Sequence, residues 1–127
     1  MLYYQQFPYW RTFFETLGFR VVLSRPSDRP LVTKSLSMLT AETCFPVEVI
    51  HGHIHDLLEK GTDYIFMPFI VDNAIEKENR TINYNCPWIQ AYPFMIRGSM
   101  KGEDAAKKFL IPTLHFRSMP FVSRATW

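Results

Sequence analysis

Helix-like and strand-like stretches alternate along this chain, and each strand-like stretch is a continuous apolar run. The runs are Phe19–Ser24, Asp63–Met67 and a pair of short runs within Phe109–Phe116. Strands that are apolar on both faces belong to parallel sheets covered by helices, whereas half-exposed strands alternate polar with apolar residues. The pattern therefore predicts an α/β fold. Three strands are few for this class, so we expect a partial parallel sheet with flanking helices.

Proline and glycine residues mark the predicted helices, which begin at Pro8, Leu31, Pro46 and Pro87. Proline fits the first turn of a helix because its missing N–H would have no partner there in any case. Gly18 and Gly61 supply the C-terminal stops of the first and third helices. Pro93 lies inside the last helix and should bend it.

The length of 127 residues corresponds to one domain or to a piece of a larger one. We expect a single α/β domain over residues 1–117 and an irregular tail over residues 118–127. Because the pattern starts directly in a helix and ends after three strands, we expect a fragment of a larger protein, truncated at both ends.

Composition and charge exclude several classes of function. Hydrophobic residues make up 47% of the chain and charged residues 20%, which is typical of a folded domain. The net charge of +2 is too small for a nucleic-acid binder, which needs clustered Lys and Arg. No apolar run approaches the ~20 residues that span a bilayer, and the N-terminus lacks the features of a signal peptide. We expect a cytoplasmic protein with neither nucleic-acid nor membrane partners.

The standard motifs for nucleotide binding and hydrolysis are absent from the sequence. It contains neither a Walker loop nor a glycine-rich dinucleotide turn, so ATP or NAD binding by those cradles is not expected. It also lacks the G-x-S-x-G elbow of hydrolases and the H-E-x-x-H helix of zinc proteases.

The chain has two cysteines, and each one precedes a predicted helix. Cys44 lies before the helix that begins at Pro46, and Cys86 lies before the helix that begins at Pro87. The N-terminus of a helix has a partial positive charge and unpaired N–H groups, which favour the thiolate form. Thiolate is the form that ligates iron, but a four-cysteine cluster site needs more than two ligands. Inert core thiols are the alternative, since free cysteine is commonly buried.

His51 and His55 form a second candidate site, because they lie one helical turn apart and could share a metal ion. No third ligand is evident, and a zinc site normally needs three or four. The pattern therefore favours structural histidines. His115 stands alone near a strand end, and the sequence predicts no role for it.

Several motifs together resemble the activase-associated domain of CoA-substrate-specific enzyme activases, which are linked to 2-hydroxyacyl-CoA dehydratases of the 2-hydroxyglutaryl-CoA dehydratase and benzoyl-CoA reductase group. The motifs are Tyr4–Ser24, Ala41–Val49, His51–His53, Gly61–Pro68, Asn85–Trp88 and Tyr92–Arg97. The resemblance covers the chain from about Leu2 to Phe116. Taken together the motifs are specific, although none of them is specific alone.

The resemblance implies a Rossmann-like α/β fold related to the dehydratase subunits, which hold a [4Fe-4S] cluster through cysteines. Cys44 and Cys86 match the cysteine positions of the family's motifs, so the resemblance makes them the candidate ligands of the cluster iron. It also implies anaerobic metabolism and low-potential electron transfer, with an ATP-dependent activase domain and dehydratase-type subunits as partners. Any third ligand would lie outside this chain, and the ATPase portion is a separate domain.

Two functions are therefore open. The first is cluster binding and electron transfer by a fragment of an activase or dehydratase-related protein, which is not expected to be active alone. The second is a non-catalytic interaction module of the same multidomain protein, without a cluster. An acyl-CoA binding unit is a third reading, but the sequence offers no phosphate-binding signature for it.

Overall fold

The computed structural model describes residues 3–39, 42–73, 84–100 and 103–116. This part of the chain combines helices with short parallel strand pairs, which confirms the predicted α/β class. The helices are α1 (Tyr3–Thr16), α2 (Arg29–Ser37), α3 (Phe45–Glu59), α4 (Pro87–Ser99) and α5 (Glu103–Lys107). The strands are β1 (Ile65–Phe66), β2 (Phe69–Asp72), β3 (Phe109–Leu110) and β4 (Thr113–His115). No helix in these described ranges is both long and apolar enough to cross a bilayer.

The described residues form two compact units. The helical unit contains residues 3–39 and 48–62, and therefore α1, α2 and most of α3. The ribbon unit contains residues 42–47, 63–73, 84–100 and 103–116, and therefore all four strands, α4 and α5. The expectation of one domain over residues 1–117 stays a prediction, and the tail over residues 118–127 lies outside the described residues.

A parallel ribbon of two chain segments is the centre of the ribbon unit. Strand β1 pairs with β3, and β2 pairs with β4, both in parallel. Backbone N–H groups of Ile65, Met67 and Phe69 donate at 2.9 Å to carbonyl oxygens of the partner segment, which are those of Lys108, Leu110 and Pro112. These three bonds join the two strand pairs into one continuous ribbon. The apolar runs at Asp63–Met67 and Phe109–Phe116 are thus confirmed as strand-forming.

Two prolines explain why this ribbon divides into two short pairs. The register of Ile65 with Phe109, and of Phe69 with Thr113, places Pro68 opposite Pro112. In a regular parallel ladder the amide of residue 112 would donate to the carbonyl of Met67, but proline has no N–H. The ladder is therefore interrupted there and resumes at Phe69.

Helix α4 covers the ribbon at β2. The rings of Phe69 and Phe94 make an edge-to-face contact with centroids 5.2 Å apart, which is a favoured geometry for aromatic pairs. Ile96 and Pro93 are fully buried on the same helix. The helix continues through Pro93, as the sequence predicts, from Pro87 to Ser99. The buried apolar residues of the strands and their ends are Ile65, Met67, Ile70, Phe109, Leu114 and Phe116.

In the helical unit, α2 and α3 approach closely at Ser35 and Gly52. The Ser35 hydroxyl is fully buried, and it accepts a hydrogen bond from the backbone N–H of Gly52 at 2.9 Å. It also lies 2.9 Å from the carbonyl oxygen of Leu31 and 3.1 Å from that of Val49. A Cβ atom at position 52 would lie 2.1 Å from this hydroxyl oxygen and 2.9 Å from the Leu31 carbonyl oxygen. Glycine is thus required for the two helices to approach each other here.

The loop that precedes α2 is attached to α3 by side-chain hydrogen bonds. Nδ1 of His53 lies 2.9 Å from the hydroxyl of Ser24, and Nε2 lies 2.9 Å from the hydroxyl of Ser27. The carboxylate of Asp56 accepts a hydrogen bond from the backbone N–H of Arg25 at 2.9 Å. Burial lowers the pKa of His53, and the nearby Asp56 carboxylate opposes that shift.

Local signals predicted the helix ends to within about two residues, except at the start of α1. Helix α3 begins at Phe45, one residue before the predicted start at Pro46, and Gly18 and Gly61 both have the positive φ angles of C-terminal stops. Helix α1 begins at Tyr3, so Pro8 lies inside it and the predicted start was wrong. Helix α2 spans Arg29–Ser37, and the side chain of its N-cap Asp28 accepts from Leu31 N–H.

The strand predicted over Phe19–Ser24 was wrong. These residues form no strand in the described part of the chain, although they are β-branched and apolar. A strand needs a neighbour for its backbone groups, and local composition alone does not supply one. The segment leaves large apolar side chains exposed instead, with Phe19 at 55% and Leu23 at 45%.

Replacing Gly52 with Ala is expected to destabilise the chain. The added methyl group would collide with the Ser35 hydroxyl and the Leu31 carbonyl. Overpacking of this kind costs about 1–3 kcal/mol, which outweighs the gain of up to ~1 kcal/mol in helix propensity. Urea unfolding of the variant measures the difference.

A glycine in open space provides the matched control. Gly98 lies in α4, and a Cβ atom there would meet nothing within 4 Å. Gly98→Ala should therefore leave stability unchanged or raise it by up to ~1 kcal/mol. If Gly52→Ala behaves like Gly98→Ala, the close approach of α2 and α3 is wrong.

The half-buried imidazole of His53 should make stability depend on pH. Its pKa in the folded chain lies below the ordinary value of 6.5, so the unfolded chain binds the proton more readily. The free energy of unfolding should therefore fall as the pH falls through 6.5 towards the lowered folded value, and the loss is complete below that value. Urea unfolding between about pH 8 and about pH 5 measures it.

The variant His53→Gln should lose this pH dependence, because glutamine does not titrate. It should also be less stable than the wild type near neutral pH, since glutamine cannot reach both serine hydroxyls as the ring does. An equally steep pH dependence in His53→Gln would show that another group causes it.

Candidate functional site

Cys44 lies at the N-terminus of α3, as the sequence predicts. It immediately precedes Phe45, the first residue of the helix, and its carbonyl oxygen accepts a hydrogen bond from Val47 N–H at 2.8 Å. The thiol is free and exposed. Cys44 is therefore an accessible sulfur beside the first N–H groups of a 15-residue helix.

Cys86 lies at the equivalent position of α4. It is the N-cap residue, with Pro87 as the first helical residue, and its side chain makes no capping hydrogen bond. Its carbonyl oxygen accepts from Gln90 N–H at 3.1 Å. This thiol is also free and exposed, so the alternative of two buried core thiols is wrong.

A buried asparagine fixes the backbone that carries Cys86. Asn85 donates from its backbone N–H to the Val71 carbonyl and from its side-chain amide to the Ile70 carbonyl, both at 3.0 Å. Its amide oxygen accepts from the Asn73 side chain at 2.8 Å. These bonds connect the residue before Cys86 to β2, so the ribbon sets the position of this cysteine.

Both cysteines belong to the ribbon unit. The prediction that their sulfur atoms converge on one iron–sulfur cluster stays a prediction. Within the described ranges, no three or more side chains of the types His, Cys, Asp and Glu are grouped so that they could hold a metal ion. The described part of the chain therefore offers an incomplete set of ligands.

The histidines of α3 each have a protein partner. Nδ1 of His51 lies 3.3 Å from the carbonyl oxygen of Glu48. Nδ1 of His55 lies 3.3 Å from the carboxylate of Glu59, within ion-pair distance, but makes no hydrogen bond. His53, which lies between them in sequence, contacts two serine hydroxyls. These contacts favour the structural interpretation of His51 and His55 over a shared metal.

Sequence reasoning missed a polar pair at the end of the ribbon. Asp72 and His115 are register partners at the last residues of β2 and β4, and Nδ1 of His115 lies 3.0 Å from the Asp72 carboxylate. The Asp72 side chain is only 7% exposed, whereas the His115 side chain is 50% exposed. The sequence predicted a strand near His115. The partner of this histidine, Asp72, lies 43 residues away in the sequence, so it is identified only by the pairing of β2 with β4.

The chain matches a family model described as "CoA enzyme activase uncharacterised domain (DUF2229)" over residues 1–126. No curated protein and no solved structure matches it. The match confirms the resemblance to the activase-associated domain, while the relation to dehydratase subunits stays a prediction. Since the match covers almost the whole length, the chain belongs to the CoA enzyme activase uncharacterised domain family.

Proposed function

We propose that this chain supplies two ligands, Cys44 and Cys86, to a [4Fe-4S] cluster that serves low-potential electron transfer in a CoA enzyme activase system. The observation that carries the proposal is the matching environment of the two thiols. Each is free, exposed and placed at the N-terminus of a long helix, and both belong to the same unit.

The environment of each thiol suits a ligand of iron. An exposed thiol can bind a metal without a change of the core. Helix N–H groups can also donate hydrogen bonds to cluster sulfurs, which tunes the reduction potential. The cluster itself would supply a site that accepts and releases one electron.

The two cysteines of this chain are too few to hold a [4Fe-4S] cluster, so further ligands must come from elsewhere. A [4Fe-4S] cluster is normally held by four thiolates, and the sequence contains two cysteines. We propose that the other ligands come from a partner polypeptide, so that the cluster lies at an interface. An ATP-dependent activase domain and dehydratase-type subunits are the proposed partners in this electron transfer.

An interaction module without a cluster is the second candidate. The incomplete ligand set of the described residues supports it. So does a group of exposed apolar residues on α1 and just after it, where Phe13 is 44%, Leu17 59% and Phe19 55% exposed. Exposed apolar surface of this kind often marks a protein contact. On this reading the two cysteines have no metal to bind.

Anaerobic reconstitution separates the two candidates. The chain is treated with iron and sulfide in the presence of a small thiol, which can occupy the iron sites that the chain leaves open. We expect the broad visible absorption of an iron–sulfur cluster, and bound iron and sulfide after desalting. Cys44→Ser and Cys86→Ser should each lose most of both signals, because the remaining thiol holds the cluster at one iron only.

The double variant Cys44→Ser/Cys86→Ser is the blank for iron that binds without thiolates. Serine preserves the size of the side chain, and both sites are exposed, so all three variants should unfold at the same urea concentration as the wild type. Equal iron content in the wild type and the double variant would support the interaction module and exclude the cluster.

Asn85 should affect the same site through the backbone of Cys86. Asn85→Ala leaves the buried carbonyl of Ile70 and the amide of Asn73 without this partner, which should cost about 1–3 kcal/mol in the free energy of unfolding. The variant should also retain less cluster than the wild type under conditions where both are folded. Urea unfolding and iron analysis measure the two effects.

Ser99→Ala is a matched control in the same unit, because Ser99 is exposed and the change removes one side-chain hydrogen bond, to the carbonyl of Ile96. It should change stability by less than about 0.5 kcal/mol and leave the iron content unchanged. If Asn85→Ala is indistinguishable from Ser99→Ala, Asn85 does not position Cys86.

A further inference from the structure

We propose that Asp72 and His115 form an acid–base site at the end of the parallel ribbon, where the imidazole exchanges a proton with a small planar ligand. The ligand class is a molecule with a weakly acidic proton and a flat face that stacks on Tyr84. This site is separate from the proposed cluster ligands and uses neither cysteine.

The pairing of the strands places three side chains in one row. Asp72 pairs with His115 in the parallel direction and with Tyr84 through an antiparallel bridge on its other side. The register of β2 with β4 is irregular between Ile70 and Asp72, and beyond this irregularity Asp72 pairs directly with His115. Residues that face each other across paired strands project from the same face of a sheet. Asp72 therefore lies in the middle of the row, with the imidazole on one side and the phenol on the other.

In this row the carboxylate is buried and the two rings are exposed, so that a ligand could reach the rings. The central carboxylate is 7% exposed, while the His115 side chain is 50% exposed and Tyr84 is 63% exposed. A buried carboxylate between two accessible rings is a fixed orienting group. The groups that would meet a ligand are the two that solvent can reach.

The bond between the two side chains fixes which nitrogen can act as the base. Nδ1 of His115 lies 3.0 Å from Oδ2 of Asp72. A carboxylate can only accept, so in the neutral ring the proton lies on Nδ1 and the lone pair on Nε2. In the described part of the chain, Nε2 has no hydrogen-bond partner. This lone pair is therefore available to a ligand.

The location agrees with the usual place of ligand sites in this fold class. Asp72 is the last residue of β2, and His115 is the last residue of β4. In open α/β folds, ligands bind beyond the carboxyl ends of the parallel strands.

The ring opening of 5-nitrobenzisoxazole tests the site directly, without iron or any partner. A base removes the proton from the ring carbon, the electron pair forms the nitrile, the N–O bond breaks, and the oxygen leaves as a coloured phenolate. The substrate is planar and needs no other reactant. The rate at which the chain releases the phenolate therefore measures the strength and accessibility of a general base.

We expect the wild type to catalyse the reaction and His115→Gln to be slower by at least about tenfold, since a positioned general base contributes ~10²–10⁴-fold in enzymes. Asp72→Asn should also be slower, because an amide can donate to Nδ1 and move the proton to Nε2. The nitrogen NMR signals of His115 should show the proton on Nδ1 in the wild type and on Nε2 in Asp72→Asn.

His51→Gln is the control for histidines outside the row, because His51 lies in the helical unit, and it should keep the wild-type rate. His115 is half exposed, so His115→Gln should fold even if Asp72→Asn does not. A wild-type rate in His115→Gln, or a proton on Nε2 in the wild type, overturns the proposal. The assay contains no cluster, so its result is independent of the function proposed for Cys44 and Cys86.

Discussion

The parallel pairing of residues 65–72 with residues 109–115 is the interaction on which the ribbon unit depends. It brings together two segments whose paired residues lie more than forty positions apart and which are too short to be stable as isolated strands. Helix α4 then buries Ile96 and Pro93 on this unit. The same register places Asp72 beside His115, and the carbonyls of Ile70 and Val71 hold Asn85. Both the polar row and the backbone that carries Cys86 therefore follow from one set of backbone hydrogen bonds.

Features that depend on neighbouring residues could be predicted from the sequence. Pro46 and Pro87 indicated the two helix starts, and hence the placement of Cys44 and Cys86 at helix N-termini, because a proline acts on its own turn. Continuous apolar runs predicted β1, β3 and β4 for a similar reason, but β2 lies outside the predicted runs. The structure confirmed the α/β class, and the family match confirmed the resemblance that the short motifs indicated.

Features that depend on distant residues could not be predicted in this way. The run Phe19–Ser24 has the composition of a strand but no strand partner in the described chain. Amino-acid composition alone does not indicate whether a segment has a neighbouring strand to pair with. His115 stood alone near a strand end in the sequence, and only the register of β2 with β4 pairs it with Asp72. Ser35 and Gly52 carry no sequence signal of their close approach, because the distance is set by how α2 and α3 pack.

Pro68 has a consequence for the behaviour of the chain at high concentration. Since the amides of Met67 and Phe69 face β3 and β4, an amide at position 68 would face the opposite edge, but proline has none. A strand from a second molecule that added to this edge would lack a donor there, and it would also meet the Tyr84–Asn85 segment at β2. The outer edge of β1 and β2 is in this way protected against edge-to-edge aggregation, which is the main hazard of a short sheet with open sides.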